Sequence, residues 1–362
     1  MAVIIDSELQ KHLRNIPSLS LKEKPCISAL LGTVDIEKNE VELLSVVHFP
    51  PCSEEPNGSI IPDTVLNQLK SLAFTLPYSM HIIGFVFYLD EDISSFTLQQ
   101  IATKSEGIGK ILTIGCVQNN NLNFYSVSKD KPQKLKVQDK KLKINRLVSL
   151  IHTIEFETSD EILKDVTAIK KATLDNLNKH WDIITLNKKS DALFSSIVAE
   201  NSQLSRIIEI NVPCDDKKLT PQTKKGNIFV ALDLHVNLYP MNAQKNKKLG
   251  DLHSLFNKAL TQDLIIKMQR AGFDEEKQIL LPPQKIPLKF FNLELNTYLT
   301  KTKPSKFEYD LCTSLIYHAK VMASAGNKLQ ARVLLRDLGD YFRELEDEEK
   351  LLELGKTISA IK

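Results

Sequence analysis

The sequence predicts an α+β protein, and three observations carry that prediction. Apolar runs of strand length fill much of the first 130 residues, with one helix-spaced stretch among them. Two further strand-like runs lie at 207–212 and 228–239. The last fifty residues show apolar positions at helical spacing, broken by Gly326-Asn327.

Taken in order, residues 1–16 read as a short strand and then a helix over Glu8–Asn15, capped by Asp6 or Ser7. Strands are predicted at about 25–35 and 41–50. Turn residues make 50–58 a loop. Residues 62–74 form a helix with Val65, Leu66, Leu69, Leu72 and Ala73 on one side. A strand at 80–90 precedes a helix near 94–104. Strands at about 110–118 and 122–128 meet across Asn119-Asn-Asn121, a hairpin turn. Residues 147–156 give another strand and 160–178 a helix leading out of the first region.

The second region opens near 190 with the strands at 207–212 and 228–239, separated by the polar loop 215–226. Residues 249–271 form a helix, with Leu252, Leu255, Phe256, Leu260 and Leu264 on one face and Gly272 at its end. Leu281-Pro-Pro and 286–295 read as one proline-bounded extended segment. Helices follow at 307–325, 329–342 and 347–361.

The composition bounds the function classes. A chain of 362 residues with 42% hydrophobic and 25% charged residues has room for two cores. A formal net charge of +2 gives no general pull towards nucleic acid or acidic membrane. Cys26, Cys52, Cys116, Cys214 and Cys312 lie far apart, with no CxxC pair and an odd count, so a disulfide framework is not expected and a reducing compartment is. The N-terminus lacks the pattern of a signal peptide, and no window has the length of a membrane span.

No catalytic constellation is legible. His48, Ser59 and Asp63 do not have the spacing of a zinc hydrolase, and there is no His-x-His. His48 reads as a strand-end histidine with a local hydrogen bond. Cys214 and Cys312 precede His235, His253 and His318, the partners a cysteine nucleophile would need. Cys312 and His318 are six apart on one helix and point in different directions, so these cysteines read as core residues. Asp233 and His235 share a strand face and read as a structural pair. No phosphate-binding glycine loop occurs.

Residues 129–146 hold eight basic side chains against Asp130 and Asp139. Such a run could meet RNA or anionic lipid, but aromatics for base stacking are sparse. Its alternation fits a solvated edge strand, where lysines discourage sheet-to-sheet pairing.

One family resemblance is visible. Lys24-Pro-Cys-Ile-Ser-Ala-Leu-Leu-Gly-Thr-Val-Asp35, Val41-Glu-Leu-Leu-Ser-Val-Val-His-Phe-Pro50 and Met80-His-Ile-Ile-Gly-Phe-Val-Phe-Tyr-Leu-Asp90 resemble the MPN fold of the JAMM metal-dependent deubiquitinases, without its metal ligands. Phe229-Val-Ala-Leu-Asp-Leu-His-Val-Asn-Leu-Tyr-Pro240, the helix 249–267 and Leu280-Leu-Pro-Pro look similar to the non-catalytic N-terminal region of the larger ubiquitin-fold-modifier-specific protease. The likeness covers about residues 1–320 and rests on the order of elements. That family also carries a papain-like domain with a Gly-Cys-Ala-Tyr nucleophile segment and an Asp-Pro-His motif. Neither occurs here, so the resemblance implies a protease-less relative.

The expected architecture is an MPN-like domain without a metal site over 1–180, a second α+β domain over 190–300, and a C-terminal helical tail, a hairpin or bundle, over 305–362. The expected function is a non-catalytic adaptor or scaffold, a pseudoenzyme that binds proteins of the modifier (ufmylation) pathway. The resemblance implies pairing with another MPN-like protein. It also implies a membrane-anchored partner at the endoplasmic reticulum, of the odorant-response-abnormal type. The alternative is an inactive MPN subunit of a multi-subunit assembly of the proteasome-lid, signalosome or translation-initiation type. Expected localisation is cytoplasmic, with recruitment to the endoplasmic reticulum surface by a partner. No cofactor, metal, nucleic acid or direct membrane insertion is expected. Candidate partner-binding residues are Lys134, Lys136, Lys140, Lys141 and Lys143 on the basic edge, and Glu346, Glu349 and Lys350 on the last helix.

Overall fold

A computed structural model describes residues 1–19, 21, 24–25, 27–51, 61–88, 100–101, 103, 112–127, 133–139, 147–159, 171, 207–211, 227–238, 248, 251, 253–269, 272–274, 279–281, 284–290, 293–299 and 306–361. The helices expected near 94–104 and at 160–178, and the loop at 215–226, lie largely or wholly outside these.

The first sheet is built from β1 (Ala2–Ile5), β2 (Ile27–Asp35), β3 (Glu40–Phe49), β4 (His81–Tyr88), β5 (Thr113–Gln118), β6 (Asn121–Ser126) and β7 (Lys136–Asp139). Their order is β6-β5-β4-β2-β3-β1-β7. The expected strands at 25–35, 41–50, 80–90, 110–118 and 122–128 are all present with trimmed ends. Asn119 and Asn120 adopt φ of 48° and 63°, the paired left-handed geometry that a two-residue hairpin turn needs. Gly32 and Gly84 let neighbouring strands come close. A Cβ at Gly32 would strike the Glu42 carbonyl oxygen, and one at Gly84 the Thr113 carbonyl oxygen.

The segment 133–139 ties the two ends of this sheet together. Leu135 N–H donates to the Phe124 carbonyl at 2.8 Å and Ser126 N–H to the Gln133 carbonyl at 2.8 Å, both on the β6 side. One residue further on, Lys136 sits in register with Ala2 of β1. The sheet is therefore strongly rolled, with residues 133–139 as a strap between its edges.

Helix α1 (Ser7–Asn15) covers one face, with the Asp6 carboxylate accepting the Glu8 N–H at 2.8 Å as its cap. Leu13 of α1 packs there with Val3, Leu30, Val46, Val86, Phe124 and Leu135 of the strap. Successive strand residues point to opposite faces, so Ala29, Leu31, Val47, Phe85 and Phe87 form the other face. That face is covered by α2 (Asp63–Thr75), through Val65, Leu69 and Leu72, and by a helix from the far end of the chain.

The second sheet runs β11-β12-β10-β8-β9, from β8 (Leu147–Ser159), β9 (Ile207–Asn211), β10 (Asn227–Leu238), β11 (Gly272–Asp274) and β12 (Ile279–Leu281). Strand β8, read from sequence as part of the first region, pairs antiparallel with β10 from Val148↔Leu238 to Ser159↔Asn227. The long ladder decides its place, and local periodicity carries no information about pairing. Helix α3 (His253–Gln269) packs on β10. Gly272 begins β11 directly beyond it.

The extended segment expected at 286–295 is a hairpin. Strands β13 (Gln284–Phe290) and β14 (Leu293–Leu299) pair antiparallel from Gln284↔Leu299 to Phe290↔Leu293. Leu288 and Leu295 point into the main core.

Helices α4 (Lys306–Ser324), α5 (Lys328–Glu344) and α6 (Glu348–Ala360) match the expected helices closely. Gly326 at φ of 94° makes the first turn between them, and Asp347 caps α6 by accepting the Lys350 N–H at 3.0 Å. The sequence presents these helices as a tail. The structure packs Leu311, Leu315, Ile316, Ala319 and Met322 of α4 into one core with Val47, Phe49, Leu69 and Leu72. The three helices are thus a layer on the first sheet, because the apolar stripe of α4 matches the open face of β3 and α2. The class is α+β: mixed sheets with C-terminal helices.

Candidate functional site: a buried histidine cluster

Three histidines from distant parts of the chain meet at one end of β3. His12 comes from α1, His48 from β3 and His318 from α4, and all three are buried. Their ring centroids lie 5.1 Å apart for His12 and His48 and 5.2 Å for His48 and His318.

Their placement follows from the sheet. Strand β1 pairs with β3 over Glu40–Leu43, so among the described residues that edge of β3 has no strand beside it beyond Leu43. The His48 N–H, in this stretch, donates to His318 Nδ1 at 3.1 Å. A buried backbone donor needs an acceptor, and a side chain of α4 supplies one. The His48 ring shares a sheet face with Ser28 and Tyr88. Ser28 Oγ lies 2.6 Å from His48 Nδ1 and 3.1 Å from the Tyr88 hydroxyl. His48 Nε2 lies 2.8 Å from His12 Nε2. A hydrogen-bonded chain therefore runs Tyr88–Ser28–His48–His12. It has two consistent proton arrangements. Either Ser28 donates to His48 and His48 donates to His12, or both bonds run in reverse.

Burial pushes every one of these imidazoles towards the neutral form. It lowers His12 to about 4. Burial, with His12 as a like charge, takes His318 down to about 3. Burial, then His12 and His318, holds His48 well below the ordinary histidine value of 6.5. The Tyr88 phenol is pushed up, chiefly by burial.

A hydroxyl bonded to an imidazole that is held by a third group is the pattern of an activated serine. Here Ser28 and His48 are fully buried, and no substrate atom reaches Ser28 Oγ while α1 and α4 are in place. Four of the six histidine nitrogens are turned to Ser28, to each other and to a backbone N–H. They do not converge on a point, and among the described residues no group of three His, Cys, Asp or Glu has the geometry to hold a metal ion. Cys312 is a buried thiol whose pKa is raised by burial first and Glu308 second, which suits a core residue.

His48 stands at the end of β3 as the sequence reading has it, but the local bond is corrected. Its partners Ser28, His12 and His318 are 20, 36 and 270 residues away. The signal available in sequence was faint. His318 stands in the apolar stripe of its helix, between Leu315, Ile316 and Ala319 on one side and Val321 and Met322 on the other. His12 stands beside Leu13 on the inner face of α1.

The candidate partner-binding residues fall elsewhere. Lys134 is exposed on the strap, and Lys136 is exposed on β7, which lies at the sheet edge as its alternation predicts. Lys140, Lys141 and Lys143 lie outside the described residues. Glu346, at φ of 56°, and Glu349 are exposed around the start of α6. Lys350 is half-buried and pairs with Glu353 at 2.9 Å. The side chains of Asp233 and His235 lie outside the described ones; on the backbone they pair with Thr153 and Ile151 of β8. Among the described residues no helix is long and apolar enough to cross a membrane.

Comparison with known proteins gives little. No family model matches the chain, and no curated protein matches it. Among solved structures, the crystal structure of UfSP from C. elegans is similar with a TM-score of 0.41 at 9% identity, over 87% of this chain and 55% of that one. The solution structure of a Salinibacter ruber protein is similar with a TM-score of 0.23 at 9% identity, over 40% of this chain and 94% of that one. The chain spans about half the length of the UfSP chain it matches, and at these TM-scores neither likeness assigns a fold family.

Proposed function

We propose that this chain is a non-catalytic, MPN-like adaptor that binds partner proteins of the ubiquitin-fold-modifier pathway. The sequence resemblance of 24–90 and 229–283 supports the pathway. The observation that carries the non-catalytic reading is the enclosure of Ser28 and His48 beneath α1 and α4. The Ser28 hydroxyl bonded to His48 is walled off from substrate, and burial pushes the Cys312 thiol towards its protonated form. Pairing with a second MPN-like protein, itself membrane-anchored at the endoplasmic reticulum, is the partner this reading calls for. The basic strap and the acidic start of α6 are its candidate contact surfaces.

Affinity purification of the tagged chain from its own cells, with mass spectrometry of what is retained, tests the reading. Recovery of modifier-pathway proteins or of a membrane-anchored MPN-like partner is the expected result. A proteasome-lid, signalosome or initiation-factor set would replace it with the assembly-subunit reading. Covalent labelling of the purified chain by a modifier carrying a C-terminal electrophile would overturn the non-catalytic part.

A further inference from the structure

We propose that the His12–His48–His318 cluster is a proton-sensitive latch that fastens α1 and α4 to the open edge of β3, so that acidification frees this joint before the rest of the fold. The inference goes beyond the adaptor reading and does not depend on it. It rests on how the three rings are distributed. One ring belongs to α1, one to the sheet and one to α4, and the contacts between them join these elements at this edge. Any opening of α4 exposes both His318 and the His48 N–H it receives. Any opening of α1 exposes His12 and the His48 ring.

The chemistry makes that opening proton-linked. In the closed state an added proton places a cation among two other buried imidazoles, with Ser28 on β2 bonded to the His48 ring and the Tyr88 phenol on β4 bonded to Ser28. Tyr317 on α4 acts electrostatically on the Tyr88 phenol, whose pKa burial raises. Among the charged side chains on the same elements, buried Glu308 of α4 acts on the Cys312 thiol and lies ten residues before His318, roughly 15 Å along the helix. Glu8, Lys11 and Arg14 of α1 are exposed, Lys320 of α4 pairs with Glu353, and Glu42 of β3 accepts from Thr33. Glu42 is six residues from His48, roughly 20 Å along the strand. In the open state each imidazole is hydrated and takes up a proton near its ordinary pKa. At pH 5 each histidine that the opening hydrates favours the open state by roughly 30-fold over the neutral condition.

The test is hydrogen exchange read segment by segment on the full chain at pH 7.5 and 5.0, corrected for the intrinsic pH dependence of exchange. The comparison is with the double variant His12→Gln, His318→Asn. Gln can place an amide where His12 has Nε2, and Asn an acceptor where His318 has Nδ1, but neither titrates. Wild type is expected to lose protection in 7–15 and 306–324 by at least 10-fold at pH 5.0, ahead of 81–88 and 113–126. The double variant is expected to show no selective loss in 306–324, and in 7–15 to keep only the share that His48 contributes. Equal pH dependence in both proteins, or a loss spread evenly over the chain, overturns the proposal. If the double variant does not fold at pH 7.5, imidazole NMR titration of wild type decides instead. Rings that titrate near 6.5 in the folded state overturn the latch. Rings that stay neutral until α4 amide signals change together support it.

Discussion

The two faces of the first sheet are sealed by different means. Beneath α2 and α4, Ala29, Leu31, Val47, Phe85 and Phe87 join Val65, Leu69, Leu72, Leu311 and Leu315 in one apolar cluster, with the Cys116 and Cys312 thiols among them. Beneath α1 the sheet offers Leu30, Val46 and Val86, and then at one end Ser28, His48 and Tyr88. The apolar face gains from burial alone, which is indifferent to pH and to direction. The polar end gains less per atom, and only while its imidazoles stay neutral and its bonds stay made. What the difference teaches is a division of labour. One face supplies most of the stability, and the other fixes where two helices sit.

The comparison breaks first at the apolar face. Phe85→Ala should cost about 3–5 kcal/mol in chemical denaturation, with nearly the same loss at pH 5 and pH 7. A loss that changes strongly with pH would mean that the two faces are not separable.

The next largest effect belongs to the polar end. The folded pKa values of His12 and His318, about 4 and about 3, lie below the unfolded value of 6.5. Unfolding between these limits takes up protons, so stability is full above about pH 6.5 and falls as pH drops towards the folded values. From pH 7 to pH 5 each of the two should forfeit about 2 kcal/mol. Denaturant midpoints across that range, for wild type and for His318→Asn, measure the share that belongs to His318. Identical pH profiles would remove His318 from the account.

Two smaller changes sharpen the contrast, because they touch neither face. Asp347→Ala removes the cap of α6 and the acceptor of the Tyr309 hydroxyl at 2.5 Å. A loss of about 1–2 kcal/mol is expected in thermal melts, the same at pH 7 and pH 8. Asn120→Ala puts an alanine at φ of 63° in the β5–β6 turn. It should cost about 1 kcal/mol, and Asn120→Gly should restore it. Failure of the glycine to rescue would show that the asparagine side chain, and not the backbone, holds that turn.

Much of the fold was legible because it is written in local pattern. Asn119-Asn-Asn121 announced the β5–β6 turn, the runs around Gly32 and Gly84 announced β2 and β4, and the spacing of Leu311, Leu315 and Met322 announced α4. What was not legible is non-local. Nothing in Ala2–Ile5 says that it lies parallel between β3 and β7, and nothing in 147–159 says that it pairs with 227–238. The hairpin of β13 and β14 was read as one extended segment because the two residues between its strands, 291–292, include no glycine or proline. The histidine cluster was invisible for the same reason as the strand order. Each ring stands alone in its own segment, and only packing over 306 residues of chain from His12 to His318 brings them together.

The position of β1 has a consequence for how the chain is made. In chain order β1 precedes both of the strands that flank it, and β7 lies more than a hundred residues later. A chain emerging from the ribosome can form the β2–β3 and β5–β6 hairpins early, because their partners are close neighbours. It cannot finish the rolled sheet until residue 139 has emerged, and α4 reaches the edge at His48 only after residue 318. Between those two points β1 already has both of its neighbours, and what waits uncovered is the β3 edge at His48 and the sheet face that α4 will seal. The stretch of synthesis between residues 139 and 318 is therefore the longest exposure of this sheet before its last layer arrives.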